Sequence, residues 1–352
     1  MRQLGFVLYL IIIVVLLGEA IFWLLPEEKK NPPYDTAVRD PLLGWKPKSN
    51  YSFQGSMQSL DGAQYAVSLS TQHNGFRHFP TERDPKRVRL LLIGDSYTQA
   101  VEVSDDKTYY QYLADSLDWQ VYAFGMAGYG TLQELFILEA YLDIVQPDWV
   151  LLQFCSNDFI DNDLLLEKHA DYQVGLRRPY YSVEKEEIIY AHPEGKIAEW
   201  LERTRFLRYL RECTLPLWVG KQKEGSKTLS EERISRGKAN DSDYARSVFI
   251  TQLLLERMKN QLSRKQRLVV LSADSFEPQY SDIKEICDSL KIPFIPFPTD
   301  EFNEMRKQGE VYAHDGYHWN ELGHRLVGEQ VIKALTVEQK NLLVVQNKND
   351  AQ

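Results

Sequence analysis

The chain has 352 residues, of which 43% are hydrophobic and 12% aromatic, and its formal net charge is −9. This length and composition suit one large globular domain with additional segments. The negative charge argues against nucleic-acid binding, because the chain as a whole offers no phosphate-neutralising surface. Cys155, Cys213 and Cys287 lie far apart without a Cys-x-x-Cys pair, which excludes a familiar zinc site and leaves room for one disulfide at most. The composition leaves the oligomeric state open.

The first residues determine the compartment. Leu4–Leu25 is an apolar run with Glu19 as its one charged residue, and it is long enough to cross a bilayer. Arg2 precedes the run and the charges after it cancel, so the positive-inside rule places the N-terminus in the cytoplasm and the rest outside. A cleaved signal peptide is the alternative, because Gly18-Glu19-Ala20 has small residues at the spacing for cleavage. The apolar run continues beyond that point, which favours an uncleaved anchor over residues 1–26.

The next segment, residues 27–87, leads from the anchor to the main domain. Four prolines and many polar residues predict a stalk over residues 27–50. Residues 51–80 alternate between polar and apolar side chains, which predicts a hairpin or edge strands that turn at Asp61-Gly62. Asn74-Gly75-Phe76-Arg77 is interpreted as a turn, with a wall of the functional site as the alternative.

A regular alternation of strands and helices begins at Val88 and predicts a parallel sheet with helices on both faces, in a domain over residues 88–340. The predicted strands are Val88–Ile93, Gln120–Phe124, Trp149–Phe154, Arg267–Ser272 and Ile292–Ile295. The predicted helices are Ser104–Leu117, Thr131–Val145 and Asn320 to about Leu335. Residues 341–352 read as a polar tail.

Residues 160–243 interrupt this alternation and are interpreted as an inserted, mostly helical cap. Trp200–Leu210 is predicted to be an amphipathic helix, and Lys221–Asp243 a mobile loop. The helix has a basic stripe that is interpreted as a solvated face, with binding to anionic polymer or lipid headgroups as the alternative. The stripe consists of Arg203, Arg205, Arg208 and Arg211. Just before the cap, the acids Asp158, Asp161 and Asp163 favour helix capping over a cation site.

Two pieces of the sequence could supply a nucleophile and its base. The first predicted strand ends at Gly94-Asp95-Ser96, which places Ser96 at the carboxyl end of a strand and near a helix N-terminus. Asp315 lies three residues before His318, so its carboxylate can reach the imidazole and fix the tautomer that an acyl-transfer base needs. Taken separately, the two pieces favour structural roles: a serine that caps a helix in the first, and a capped helix with an exposed histidine in the second.

Two further pieces could stabilise an oxyanion. Gly128 follows the second predicted strand, where a glycine lets a backbone N–H approach a ligand closely. Asn157 follows the third strand and could donate its side-chain amide. With the Ser96 amide, these groups would form an oxyanion hole of three donors. The alternative interpretation is that Gly128 and Asn157 are only turn residues. Because all these pieces lie just after strands or in the final loop, their coincidence favours a catalytic site.

In this order, Gly94-Asp95-Ser96, Gly128, Asn157-Asp158 and Asp315-x-x-His318 resemble the SGNH, or GDSL-type, hydrolase superfamily over about residues 88–335. The resemblance implies a flavodoxin-like, three-layer α/β/α fold with strand order 2-1-3-4-5. It also implies ester hydrolysis or acyl transfer through an acyl-serine. Ser96 would be the nucleophile, His318 the general base and Asp315 its partner, with Ser96, Gly128 and Asn157 as the oxyanion hole. No cofactor or metal is expected.

The sequence departs from the family pattern near the oxyanion hole. Cys155 stands where the family commonly has glycine, and the usual asparagine of the second block is replaced around Ala123-Phe124. Cys155 is interpreted as a buried small residue and not as a reactive thiol. Asp95 is expected to stabilise its turn by hydrogen bonding.

The lead-in, with Leu43-Gly44-Trp45, also resembles membrane-anchored bacterial members, so the expected location is the inner membrane with a periplasmic catalytic domain. The leading hypothesis is an esterase or acyltransferase that acts on acyl groups, such as acetyl, of envelope or exported polysaccharide. Trp119, Tyr129 and Trp319 are candidates for stacking on sugars. The alternatives are a lipid hydrolase of the lysophospholipase or thioesterase type, and a non-catalytic assembly factor that binds polysaccharide. Apolar cap residues suggest the lipid hydrolase: Trp200, Phe206, Leu207, Leu210 and Trp218.

Overall fold

The computed structural model describes residues 2–25, 34–171, 174–201, 204–210, 229–235 and 242–349. In chain order, its strands β1 to β11 are Ala37–Asp40, Gly44–Pro47, Ser52–Gln58, Gln64–Ser70, Arg89–Gly94, Gln120–Gly125, Trp149–Phe154, Arg178–Ser182, Glu187–Ala191, Arg267–Ser272 and Phe294–Ile295. Its helices α1 to α13 are Arg2–Leu24, Ser96–Gln99, Tyr109–Leu117, Thr131–Val145, Asp158–Asp161, Leu164–Glu167, Lys196–Leu201, 205–210, Ser230–Ser235, Ser242–Gln261, Gln279–Leu290, Asp300–Lys307 and Glu321–Asn349.

Five parallel strands form the central sheet, in the order β11-β10-β7-β5-β6. Numbered along the chain and read from the other edge, this order is 2-1-3-4-5, as the family resemblance implies. The five strands begin and end within two residues of their predicted bounds. The predicted α/β fold with a parallel sheet is confirmed.

Helices cover both faces of the sheet, and alternate side chains of each strand point to opposite faces. Leu91 and Ile93 of β5 join a core that includes residues of α4 and α10. Leu90 and Leu92 join a second core with residues of α3 and α13. This arrangement explains why the predicted strands are continuous apolar runs.

Two antiparallel hairpins precede the sheet. Residues 27–50 are not a stalk throughout, because β1 and β2 pair over Ala37–Pro47, where Trp45 is buried. The second hairpin, β3–β4, turns at Asp61-Gly62 as predicted. Its tip packs on the loop before α13, where the Leu60 N–H donates to the Tyr312 carbonyl at 3.2 Å.

The insertion differs from the predicted, mostly helical cap. It contains the β8–β9 hairpin, and the helix expected over Trp200–Leu210 is divided, since α7 ends at Leu201 and α8 covers 205–210. The loop expected over Lys221–Asp243 contains α9 and the first residues of α10. The Ser230 hydroxyl donates to the Leu166 carbonyl at 2.7 Å, so contacts with α6 order a segment of polar composition. Arg203, Arg211, Cys213 and Trp218 lie outside the described residues.

Helix α1 packs on α8 through its C-terminal end. Over Gln3–Leu24, α1 is long and apolar enough to cross a membrane, a criterion that a signal sequence also meets. Glu19 accepts a hydrogen bond from the Phe206 N–H at 2.8 Å, which explains the one acid in the run and caps the start of α8. A Cβ on Gly18 would lie 2.5 Å from the Phe206 ring, so this close approach requires glycine.

The last helix, α13, is longer than predicted. It runs from Glu321 to Asn349 and therefore includes most of the expected polar tail over residues 341–352.

Candidate active site

Ser96 lies at the N-terminus of α2, directly after β5. A side chain at Gly94 would place its Cβ 2.4 Å from the Gln153 Oε1 atom, so the strand must end in glycine here. Asp95 caps α2 by accepting a hydrogen bond from the Tyr97 N–H at 3.0 Å, which confirms its predicted role in the turn. Burial raises the pKa of Asp95 to about 6. The turn therefore presents Ser96, which is half-buried, at the carboxyl edge of the sheet.

The imidazole of His318 bridges Ser96 and Asp315. Its Nε2 atom is 2.8 Å from Ser96 Oγ, and its Nδ1 atom is 2.5 Å from Asp315 Oδ2. The other carboxylate oxygen of Asp315 accepts hydrogen bonds from the N–H groups of Tyr317 and His318, at 3.0 and 3.1 Å. The final loop thus fixes the carboxylate, and the carboxylate in turn orients the ring. The structure brings the three predicted residues into one hydrogen-bonded series.

Asp315 and His318 each favour the charged form of the other. Burial opposes the ionisation of Asp315, but hydrogen bonding and charge interaction with His318 outweigh it and lower the pKa of Asp315 to about 2. Burial also opposes the protonation of His318, but the negative charges of Glu102 and Asp315 raise the pKa of this histidine to about 9. A protonated imidazole is therefore well stabilised at this position.

Gly128 lies in a loop that the lead-in segment holds in place. Its φ is +72°, and a Cβ there would lie 2.2 Å from a methyl group of Val174, so glycine is required. The Trp45 indole N–H donates to the Ala127 carbonyl at 2.9 Å, and the Tyr129 hydroxyl donates to the Trp45 carbonyl at 2.7 Å. Within the described part of the chain, the N–H groups of Ser96 and Gly128 have no hydrogen-bond acceptor. They are therefore free to bind an oxyanion.

Asn157 follows β7 and is half-buried. Its side-chain amide donates to Asp161 Oδ2 at 2.9 Å, and Asp161 in turn accepts from the buried guanidinium of Arg178 at 2.9 Å. A primary amide has two N–H donors, so this bond orients the group and leaves one N–H for a ligand. The arrangement links the cap strand β8 to a predicted oxyanion donor.

Sequence reasoning missed the residue that holds the loop after α2. Asn74-Gly75-Phe76-Arg77 is a turn, with Gly75 at φ +86°, as predicted. Its Arg77 is 4% exposed and donates to the carbonyls of Gln99, Ala100 and Val103 and to the carboxylate of Asp105. The motif supports the site from behind and does not form its wall. These partners lie 22 to 28 residues away in sequence, so no local pattern signals them.

The carboxyl end of β10 contributes Asp274, which was also not predicted. Its Oδ2 atom accepts from the Ser156 hydroxyl at 2.7 Å and from the Cys155 thiol at 3.1 Å. Cys155 is buried, as predicted, and burial raises the pKa of its thiol. A protonated, buried thiol is a packing residue and not a nucleophile.

The acids that follow β7 are only partly helix caps. Asp163 caps α6 by accepting from the N–H groups of Leu165 and Leu166. Asp158 and Asp161 lie within α5 and are buried, so the capping prediction is wrong for these two.

The aromatic residues predicted to stack on sugars are buried. Trp119, Tyr129 and Trp319 are 4%, 0% and 1% exposed, because each fills a gap between the sheet and its neighbouring helices or hairpins. This prediction is wrong. Tyr317, between Asp315 and His318, is 68% exposed instead.

Glu102, Asp315 and His318 have ligand atoms within 4.8 Å of one another and could geometrically hold a metal ion. In the structure, Asp315 and His318 are joined by the hydrogen bond between His318 Nδ1 and Asp315 Oδ2.

A hydroxyl, an imidazole and a carboxylate in this order, at the carboxyl edge of a parallel sheet, are the arrangement of a serine ester hydrolase. Residues 90–188 match the model of the GDSL-like Lipase/Acylhydrolase family. Together with the strand order and the motif spacing, this match over residues 90–188 supports the resemblance to the SGNH, or GDSL-type, hydrolase superfamily.

Among solved structures, the chain is similar to a lipolytic protein of the G-D-S-L family from Veillonella parvula, with 14% identity, a TM-score of 0.38, and coverage of 71% of this chain and 98% of that one. It is also similar to the psychrotrophic esterase EstA from Pseudoalteromonas sp., with 11% identity, a TM-score of 0.39, and coverage of 72% and 98%. A third is the acetyl xylan esterase AlAXEase, with 13% identity, a TM-score of 0.38, and coverage of 70% and 99%. A search of curated protein sequences gives no match.

Proposed function

We propose that the protein is a membrane-anchored, extracytoplasmic esterase or acyltransferase that acts on ester-linked acetyl groups of envelope or exported polysaccharide. The observation that carries the proposal is the series Ser96 Oγ, His318 Nε2 and Nδ1, Asp315 Oδ2, with separations of 2.8 and 2.5 Å. The apolar α1, long enough to span a bilayer, supports the anchor. Its orientation follows from the charges that flank it.

In the proposed reaction, Ser96 Oγ attacks the ester carbonyl while its proton passes to His318 Nε2. The negative charge that develops on the carbonyl oxygen is bound by the N–H groups of Ser96 and Gly128 and by the Asn157 amide. The intermediate then expels the alcohol, which takes the proton from His318, and leaves an acyl-serine. Water or a sugar hydroxyl then attacks the acyl-serine and gives its proton to His318. The intermediate expels Ser96 Oγ, which takes this proton back from His318, and the carboxylic acid or the acylated sugar is released.

Contacts of the cap support a small acyl group. Phe206, one of the residues that suggested a long-chain lipid substrate, packs on α1, with its ring 5.7 Å from that of Phe22. Leu207 is buried, and Val174 lies against Gly128. The side chains of Phe206 and Leu207 are therefore engaged in packing, which favours a small acyl group over a long chain.

Exposed aromatic rings support a carbohydrate substrate, because flat rings with polar edges bind sugar faces. Tyr317 is adjacent to His318 and is 68% exposed. Tyr34 is half-exposed, and its ring lies 6.4 Å from that of His314, the residue before Asp315. We propose these two tyrosines as sugar contacts in place of the buried aromatic residues.

The preference for short acyl groups can be tested with p-nitrophenyl esters of two to twelve carbons. We expect kcat/KM to be highest for the acetyl ester and to fall with chain length. A maximum at eight carbons or more would favour the lipid hydrolase. If a fluorophosphonate fails to label Ser96 while the protein still binds glycan, the non-catalytic assembly factor is favoured.

Replacement of the side-chain donor tests the oxyanion hole. We expect Asn157→Ala to lower kcat by about 10²- to 10³-fold with little change in KM, because the donor binds charge that is present only in the transition state. Steady-state kinetics on the acetyl ester measure this. A kcat within a factor of three of the wild type would exclude Asn157 from the hole.

A further inference from the structure

A second carboxylate lies beside the proposed base. Glu102 Oε1 is 3.6 Å from His318 Nδ1, the same ring nitrogen that bonds to Asp315, and the Glu102 side chain is 2% exposed. Glu102 belongs to none of the sequence blocks that carry the family resemblance. Among the described residues, the Glu102 carboxylate pairs with His318.

We infer that Glu102 is a positioning residue that acts on His318 as a second acidic partner and sets the pH range in which this histidine can act as a base. This inference rests on the proposed function and assigns a residue that regulates the same site.

The fold holds Glu102 at this place from two sides. Two residues before it, Ala100 adopts a left-handed conformation at φ +52°, and the Arg77 guanidinium binds carbonyl oxygens on both sides of Glu102, at Ala100 and Val103. The Tyr65 hydroxyl from the second hairpin donates to the Glu102 carbonyl at 3.0 Å. A carboxylate that is buried and fixed in this way cannot turn to solvent, so its charge acts on the imidazole.

The other groups around His318 do not offset this charge. Asp315 and Asp95 are acidic, and the Tyr97 ring lies 5.2 Å from the imidazole. Burial raises the pKa of both Tyr34 and Tyr65, which leaves these phenols neutral. Burial lowers the pKa of His324 to about 3, so it is also neutral, and the charge of Arg77 is shared with Asp105 at 2.8 Å. Negative charge therefore dominates around the imidazole, in line with its pKa of about 9.

The inference predicts that the pH profiles of the wild type and of Glu102→Gln cross. The imidazole of His318 must be neutral to act as a base. The pH profile of kcat/KM for the wild type should therefore have a rising limb whose midpoint lies near the pKa of His318. Loss of one negative charge within 4 Å should move this limb down by about one pH unit. At pH 7 the variant should be several times faster, because more of its imidazole is neutral. At pH 10 it should be several times slower, because its imidazole is a weaker base.

Controls separate this role from a merely structural one. Glu102→Asp, which retracts the charge by one methylene, should place the limb between those of the wild type and Glu102→Gln. Glu134→Gln removes another buried acid, whose pKa is raised by burial so that it is already neutral, and should leave the limb unchanged. Profiles of the wild type and Glu102→Gln that stay parallel across the pH range would overturn the inference.

A readout without turnover separates this test from that of the proposed function. NMR titration of the His318 ring in full-length Ser96→Ala protein should show a pKa lower by about one when Glu102→Gln is added. An unchanged ring pKa would overturn the inference even if Ser96 proves to be the nucleophile. A lowered pKa together with full activity of Ser96→Ala would support the inference on the histidine and contradict the proposed reaction.

Discussion

Ser96→Ala should lower kcat for ester hydrolysis by about 10⁴-fold or more, while the free energy of unfolding changes by less than about 1 kcal/mol. The variant retains the oxyanion donors and His318 but has no atom to form the acyl intermediate, so only a small residual rate remains. The hydroxyl is half-buried and its bond to His318 Nε2 at 2.8 Å is its main protein contact, so its loss opens no cavity in the core. Single-turnover hydrolysis and urea-induced unfolding of the full chain measure the two quantities.

Ser156→Ala is the matched control. Ser156 also lies at the carboxyl end of a central strand and is half-buried, but its hydroxyl donates to Asp274 at 2.7 Å and not to an imidazole. We expect its activity to stay within about threefold of the wild type and its Ser96 to react normally with a fluorophosphonate. Equal losses in the two variants would mean that the edge of the sheet is merely sensitive to substitution, and would contradict the assignment of the nucleophile.

The central strands could be predicted because their signal is local. A strand buried on both faces must be apolar throughout, and residues such as Trp149–Phe154 satisfy this condition in a single run. Helix α4 was equally predictable, since its apolar residues recur at helical spacing and Pro147 follows its end. The geometry at Ser96 follows from the same signals, because the strand must end where the glycine and the capping Asp95 stand.

Elements that depend on distant partners were not predictable. The helix expected to begin at Ser104 starts instead at Tyr109, after a 3₁₀ turn over Asp105–Lys107. The reason is that Asp105 binds Arg77 and the Ser70 hydroxyl, both from the lead-in, which leaves Thr108 to cap the helix through the Gln111 N–H. These hydrogen bonds fix the loop that carries Glu102 and so place it beside His318. The pairing of Asp315 with His318 could be predicted because the two are three residues apart in the sequence. Glu102 is distant from both in the sequence, so its place beside His318 could not be predicted.

Arg178→Met should lower the free energy of unfolding by about 3–5 kcal/mol. Arg178 is 1% exposed, and its guanidinium is 2.9 Å from Asp161 Oδ1 and 3.4 Å from Glu167 Oε2. Its removal leaves two buried carboxyl groups without their cation, and methionine fills part of the volume but supplies no charge. Arg177→Met, at the neighbouring position, removes a half-exposed arginine that pairs with Glu199 at 3.3 Å, and should cost less than about 1 kcal/mol.

The loss of stability in Arg178→Met should depend on pH, and the substitution should also lower activity. Burial raises the pKa of Asp161 to about 7 even with Arg178 present, and removal of the cation raises it further. The folded variant then binds a proton that the unfolded chain releases above its ordinary pKa of about 4, so the stability of the variant should fall as pH rises through neutrality. Urea-induced unfolding of the variant and wild type at pH 5 and pH 8 measures this. A loss of stability that is equal at both pH values would contradict the buried-charge explanation.

Since Asp161 orients the Asn157 amide, kcat of folded Arg178→Met should fall as well, whereas kcat of Arg177→Met should be retained.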